Sequence, residues 1–355
     1  MQGKNEPCLF THPSSGLKVL LYVDDCIVRA SKSVSLAFHE ALEARFDCRP
    51  ESRQFLTPTH PIEFTGVRLT MEQGDKVDSY YIDQNEAIAK FLIEHNLDSA
   101  PLVDSPMPSK HELTGDSSPC ESESESWCKS VNGSLHYFVR ASRWDIAHSV
   151  SRVSQFNKSP TEGMVASLKR IAGYLKSTIG FRVGGTRPLS GDRFEVYTDS
   201  DHHGDKFNGS RSQTGILVLL NGIPCHWRSN KQPTTADSPA CAEIYALKDG
   251  VRDSRLFAWV CEELGVKVEW PLVVQVDSTQ ARSFANDTCP NSKIRGSFDL
   301  REDWVEEVRD LGQVKTVDVA SENNLADLFT KCLKRGVYLR LRNLILGDSL
   351  QFIEP

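Results

Sequence analysis

In the second half of the chain, short alternating apolar runs give way to stripes at helical spacing, in the order strand, hairpin, helix, strand, helix, helix, strand, helix. Arg193 to Asp199 and Leu272 to Asp277 read as strands that each close on an aspartate. Ile216 to Leu220, the pair Asn221-Gly222 and the run from Ile223 predict a two-residue hairpin, with Pro224 at an edge or irregular position. Ser238-Pro239 opens a helix as cap and first turn, and Ile244, Leu247 and Val251 mark its buried stripe. Leu300, Trp304, Val308 and Leu311 mark another stripe, and Asn323 or Asn324 caps a helix with Asp327 in its opening turn.

The first half has a different texture. Leu17 to Ala30 predicts a tight hairpin with Asp24 and Asp25 at its tip, followed by a helix over Ser35 to Phe46, a strand-like run Glu63 to Leu69 and a helix from about Gln84 to His95. Pro101 to Ser126, rich in Pro, Ser and Glu, reads as a flexible connector, with Glu121 to Glu125 solvated. Two or three helices follow over Leu135 to Tyr174, including Met164 to Leu175, then a Gly184-Gly185 loop and a domain boundary near Leu189 to Asp192.

At 355 residues, with 39% hydrophobic and 25% charged content, the chain has room for two or three domains. Its ten cysteines show no zinc-ligand order and predict free thiols in a reducing, intracellular compartment, cytoplasmic or nuclear. No run approaches the roughly 20 apolar residues of a membrane span, and Met1 to Pro13 lacks an apolar signal core, so no membrane partner is expected. The net charge of −7 argues mildly against a general nucleic-acid binder. Acids cluster over Cys120 to Ser126 and Arg301 to Asp310, however, while Lys206 to Lys231 and Lys331 to Arg342 are basic, leaving one side able to track a phosphate backbone.

The candidate chemistry lies in four acids: Asp199 and Asp277 at strand ends, Glu243 and Asp327 in first helical turns. Together they would converge on one edge of a mixed sheet, and so many anions require cations, for which oxygen ligands suit two Mg²⁺ or Mn²⁺ ions. Two such ions about 4 Å apart clamp an in-line attack on a phosphodiester. Each acid also has a plain reading, because Asp at a strand end commonly caps a turn and Asp327 alone suits a helix dipole. His202-His203 read as surface, and Cys225, Cys241 and Cys261 as core filling.

Leu21-Tyr22-Val23-Asp24-Asp25, Arg143-Trp144-Asp145-Ile146, Tyr197-Thr198-Asp199-Ser200-Asp201, Ser210 to Gly215, Ala242 to Leu247 and Ala326-Asp327-Leu328-Phe329-Thr330-Lys331, in that order, resemble the C-terminal part of a copia-type retrotransposon Pol polyprotein. The resemblance implies an α/β chain: a truncated reverse transcriptase palm and thumb region (1–115), a linker and helical connection (116–190), a ribonuclease H-like mixed sheet with flanking helices (191–340) and a tail (341–355). It implies Asp199, Glu243, Asp277 and Asp327 as the two-metal catalytic set. One ion would sit on Asp199 and Asp277 and the other on Asp199 and Glu243, with Asp327 the most replaceable ligand. Asp24 and Asp25 match the palm pair of a polymerase site left incomplete. Arg211, Lys231 and Lys331 fall near the phosphate path of an RNA/DNA hybrid, with other Pol fragments as further partners. Two departures stand out: Asp277-Ser278 replaces the family's Asp-Asn, and the segment Lys293 to Arg301 lacks the family's histidines, none following His226. Hybrid hydrolysis and a catalytically silent remnant or binding scaffold both remain open on these residues.

Overall fold

The structure, a computed structural model, describes residues 1–49, 53–108, 118–186, 192–202, 211–288 and 304–346. A three-stranded antiparallel sheet comes first, β1 (Leu9–Thr11), β2 (Lys18–Tyr22) and β3 (Asp25–Arg29), followed by α1 (Lys32–Glu43). Tyr22 pairs with Asp25, so the expected hairpin forms: Asp24 lies in its turn and Asp25 opens β3. This part carries little core; Leu9 and Val19 are buried, whereas Leu20, Tyr22 and Val23 face outward.

A second sheet joins β4 (Ile62–Phe64), β5 (Val67–Glu72), β6 (Ser79–Asp83) and β7 (Val183–Thr186) in that order. Two expectations are corrected here. Glu63 to Leu69 is not one strand, because Thr65 and Gly66 both take positive φ (51° and 74°) and turn β4 back onto β5. The Gly184-Gly185 pair is not a loop but the middle of β7, pairing with Tyr81 and Tyr80. Glycine is required there because a Cβ on Gly184 would stand 2.0 Å from the Tyr80 carbonyl oxygen.

Between these strands lie α2 (Asn85–Glu94), α3 (Ser122–Ala141), α4 (Ala147–Ser154) and α5 (Glu162–Ser177). The flexible connector is also corrected at its end, since Ser122 to Ser126 is the first turn of α3. Cys128, Val131, Leu135 and Phe138 bury one face of that helix, and Glu123 and Glu125 complement its N-terminal dipole. Residues 109–117 of the connector lie outside the described residues.

The third sheet has the order β10-β9-β8-β11-β12. β8 (Phe194–Asp201), β9 (Gln213–Leu220) and β10 (Ile223–Lys231) are antiparallel, whereas β11 (Leu272–Val276) and β12 (Val314–Asp318) run parallel to β8. The hairpin turns at Asn221-Gly222 as expected, and the register slips between Pro224 and His226 on the edge strand. On one face α6 (Pro239–Glu263) buries Ile244, Leu247 and Val251 against Val196, Ile216, Val218 and Val274. α7 (Thr279–Ala285) and a helix over Trp304–Asp310 close that side. Of the second predicted stripe Val308 is buried, but Leu311 is 63% exposed beyond the helix end and Leu300 lies outside the described residues.

The opposite face, with Tyr197, Leu217 and Leu219, shares one core with α2 to α5 and with the last helix, Arg335–Leu346. The expected tail boundary at 341 therefore falls inside a packed helix whose Tyr338, Leu341 and Ile345 are buried. A buried ion pair anchors this junction: Arg143 donates to both Asp145 oxygens at 2.9 and 2.8 Å, Tyr174 donates to Asp145 at 2.7 Å, and Tyr338 donates to the Asp145 carbonyl at 3.0 Å. Among the described residues, no helix is long and apolar enough to cross a membrane, and the cysteines are free thiols.

Candidate metal centre

The parallel pair β8 and β11 carries two acids to the same edge: Asp199 near the end of β8, and Asp277 directly after Val276. Alternation along β8 puts Thr198 toward α6 and Asp199 on the Tyr197 side, where it is 1% exposed. The third acid comes from α6. Ser238 caps that helix by accepting the Cys241 N–H at 3.2 Å, with Pro239 in the first turn, and so fixes Glu243 about one turn in.

Asp199, Glu243 and Asp277 each offer a carboxylate oxygen within 4.8 Å of the other two. Glu243 Oε1 accepts the Ser200 backbone N–H at 3.3 Å, and its Oε2 is buried without a hydrogen-bond partner. A buried orphan acceptor beside two further carboxylates is what a cation-binding site requires, and the all-oxygen donor set fits a hard divalent ion. Burial raises the Asp199 carboxyl to about 7, helped by Asp327 and Asp277 and opposed by Lys331 and Thr330. Glu243 is raised to about 8, first by burial and then by the Asp199 charge. Both acids are thus costly to ionise without a cation.

Asp327 stands apart from that trio. Asn324 caps a 3₁₀ turn over Leu325–Phe329 by accepting the Ala326 N–H, and the turn crosses the sheet face at Gly215, the residue paired with Asp199. A Cβ on Gly215 would lie 2.6 Å from Thr330 Cγ2 and 2.7 Å from the Ala326 oxygen, so only glycine admits the turn this close. As a result Thr330 donates its hydroxyl to Asp199 Oδ2, and Lys331 Nζ lies 2.7 Å from Asp327 Oδ1 and 3.2 Å from Asp199 Oδ1. Burial raises the Asp327 carboxyl, with Lys331 opposing. Burial also works against the Lys331 charge, but Asp199 and Asp327 outweigh it and raise the ammonium's pKa.

Lys331, expected on a phosphate path, is therefore engaged with two acids. Lys231 donates to the Arg211 carbonyl at 2.9 Å. Both residues line a cavity of about 420 Å³ together with His136, Trp227 and Arg228 on the Trp227 side of β10. Asp24 and Asp25 sit exposed on the first sheet. Ser278, which departs from the family's asparagine, caps α7 by accepting the Ala281 N–H at 3.3 Å. The segment Lys293 to Arg301, where histidines were sought, lies outside the described residues. Thr330 was not singled out from sequence, since nothing in a Thr-Lys pair shows that its hydroxyl reaches a strand-end aspartate.

No family model matches the chain. It is 27% identical over 352 residues to the retrovirus-related Pol polyprotein from transposon TNT 1-94 of Nicotiana tabacum, covering 96% of this chain and 25% of that protein. It is 36% identical over 129 residues to secreted RxLR effector protein 161 of Plasmopara viticola, covering 35% of this chain and 87% of that protein. Among solved structures, LC11-RNase H1 in complex with an RNA/DNA hybrid aligns with 17% identity and a TM-score of 0.30, covering 39% of this chain and 94% of that one. The chain spans about a quarter of the length of the curated Pol relatives it matches.

Proposed function

We propose, for a chain similar over 90% or more of its length to retrovirus-related Pol polyproteins of transposons, that residues 191–340 form a ribonuclease H-like module that hydrolyses the RNA strand of RNA/DNA hybrids. The supporting observation is the convergence of Asp199, Glu243 and Asp277 within 4.8 Å of one another, with the Glu243 Oε2 acceptor left open. Divalent ions, Mg²⁺ or Mn²⁺, would supply Lewis-acid activation of water and neutralise charge on the leaving oxygen.

The chain's own residues do the positioning. Asp199, on the central strand of the sheet and oriented by Thr330, would be a principal ligand. Glu243 is held through the Ser200 N–H, so strand and helix set their spacing jointly. Asp277, less buried than Asp199, would be the acid of the trio more open to an incoming phosphate. Recognition would rest on backbone phosphates and 2′-hydroxyls and not on base sequence.

The test is cleavage of a labelled hybrid in Mg²⁺ and in Mn²⁺, beside Asp199→Asn and an RNA/RNA control. Cleavage confined to the hybrid's RNA strand and abolished by the substitution is expected. A second reading, a binding scaffold without turnover, draws on the lack of any histidine after His226. Metal-independent hybrid binding without cleavage by folded protein would favour it.

A further inference from the structure

Resting on the reading of the carboxylate trio as a metal centre, we infer that Lys331 is a tethered cation, held between Asp199 and Asp327, that supplies charge a second divalent ion would bring, so that this chain binds one ion tightly. Three features converge on this. First, Asp327 does not join the trio; its Oδ1 faces the Lys331 ammonium at 2.7 Å, and the same ammonium is 3.2 Å from Asp199 Oδ1. A divalent ion bridging these two acids would have to occupy the space the ammonium fills.

Second, the ammonium is fixed in advance. Thr330 and Lys331 donate their N–H groups to the Asp327 carbonyl at 3.3 and 3.1 Å, and the Leu325–Phe329 turn is pressed onto Gly215. The four-carbon stem therefore leaves a rigid anchor, and little freedom is lost when its head sits between the acids.

Third, the charges fit. Four ionised carboxylates carry four negative charges; one divalent ion and Lys331 offset three of them, leaving a site still attractive to a cation but far less so for a second divalent ion. Asp199 also spends acceptor capacity on Thr330 Oγ1 and Lys331 Nζ, which leaves fewer oxygen lone pairs for two metals.

The experiment counts ions. Purified full-length chain is titrated with Mn²⁺, with bound stoichiometry read by calorimetry and by the electron spin resonance of bound Mn²⁺, for wild type, Lys331→Met, Lys331→Arg and Asp327→Asn. Wild type is expected to take one ion with an isolated-ion spectrum. Lys331→Met should take a second ion, show the spectrum of an interacting pair, and bind the first at least about tenfold more tightly, because a like charge has left its neighbourhood. Lys331→Arg should keep the count at one, and Asp327→Asn, which removes one of the two acids holding the ammonium, should not raise the count above one. Two ions of similar affinity in wild type overturn the inference while leaving the metal centre intact. A count of one in folded Lys331→Met overturns it as well. No binding by any folded variant removes the metal centre and the inference with it.

Discussion

Replacing Glu243 with glutamine gives the sharpest check on the carboxylate cluster. The Glu243 carboxyl is raised to about 8 from an ordinary 4.5, and Asp199 to about 7 from 3.8. A raised acid binds its proton more tightly in the folded chain than in the unfolded one. Its stabilising contribution is complete below the unfolded value and is lost as pH climbs through the folded value. Because the two carboxyls share one pocket, the pair is counted as holding one extra proton, which gives a slope of about 1.4 kcal/mol per pH unit. Between about pH 5 and about pH 7 the metal-free protein should thus lose roughly 3 kcal/mol, or roughly 6–12 °C in melting temperature for a domain of this size. Divalent ions bind the ionised carboxylates, so added Mg²⁺ should restore stability, and more so at higher pH. Glu243→Gln keeps a neutral side chain at every pH and removes a like charge from Asp199. It should flatten the metal-free slope by at least half and abolish most of the Mg²⁺ rescue. The assay is thermal melting in chelator and in excess Mg²⁺ across that pH range, read as the difference between wild type and variant, which cancels the other titrating groups. Parallel curves for the two proteins in chelator would refute the buried cluster.

Other sites give independent tests. Asp145→Asn leaves Arg143 buried opposite a neutral amide with one acceptor oxygen in place of two, and should cost about 3–5 kcal/mol in urea unfolding; a loss under about 1 kcal/mol would mean the pair is not buried as described. Gly215→Ala drives a methyl into Thr330 and Ala326, and should cost about 1–3 kcal/mol while raising Mn²⁺ affinity, in the direction of Lys331→Met, by moving the ammonium away from Asp199; unchanged Mn²⁺ affinity would break the proposed link between turn and site. Ser238→Ala removes the cap of α6 and should cost about 1 kcal/mol by thermal unfolding, whereas Ser278→Ala at the short α7 should cost no more than that.

What the sequence disclosed followed from local periodicity. Asp199 and Asp277 were legible because each lies at or near the end of an alternating run, although β8 continues two residues past Asp199, and Glu243 because Ser238-Pro239 fixes the helix start within a turn. What stayed hidden depended on partners distant in the chain. Gly184-Gly185 looks like a loop until β6 lies against it, since only the approach of Tyr80 makes a side chain intolerable there. Ser122 to Ser126 looks like a polar linker because it is the solvated first turn of a helix whose buried residues begin later. Lys331 looks like a phosphate contact for the same reason: its partner Asp199 is 132 residues away and meets it only when the 3₁₀ turn crosses Gly215.

That crossing also ties the site to the helices that precede the sheet. Phe329, in the turn that carries Asp327, packs against Trp144 with ring centroids 6.4 Å apart, and its carbonyl accepts the Ser229 hydroxyl of β10 at 2.6 Å. Directly after Lys331, Cys332 lies 3.7 Å from His148 of α4, whose imidazole is pushed down to about 3 by burial and so stays neutral. Trp144 sits between Arg143 and Asp145, so the buried ion pair and the acid-bearing turn share one piece of core. That core reaches Asp199 through Thr330 and Lys331, the residues of this segment that hydrogen-bond to it. The sheet and α6 together set the trio of Asp199, Glu243 and Asp277, whereas the position of Asp327 and its lysine also depends on the helical core that packs against Phe329. If the number of bound ions depends on Lys331, it therefore also depends on a helical region that contributes none of their ligands.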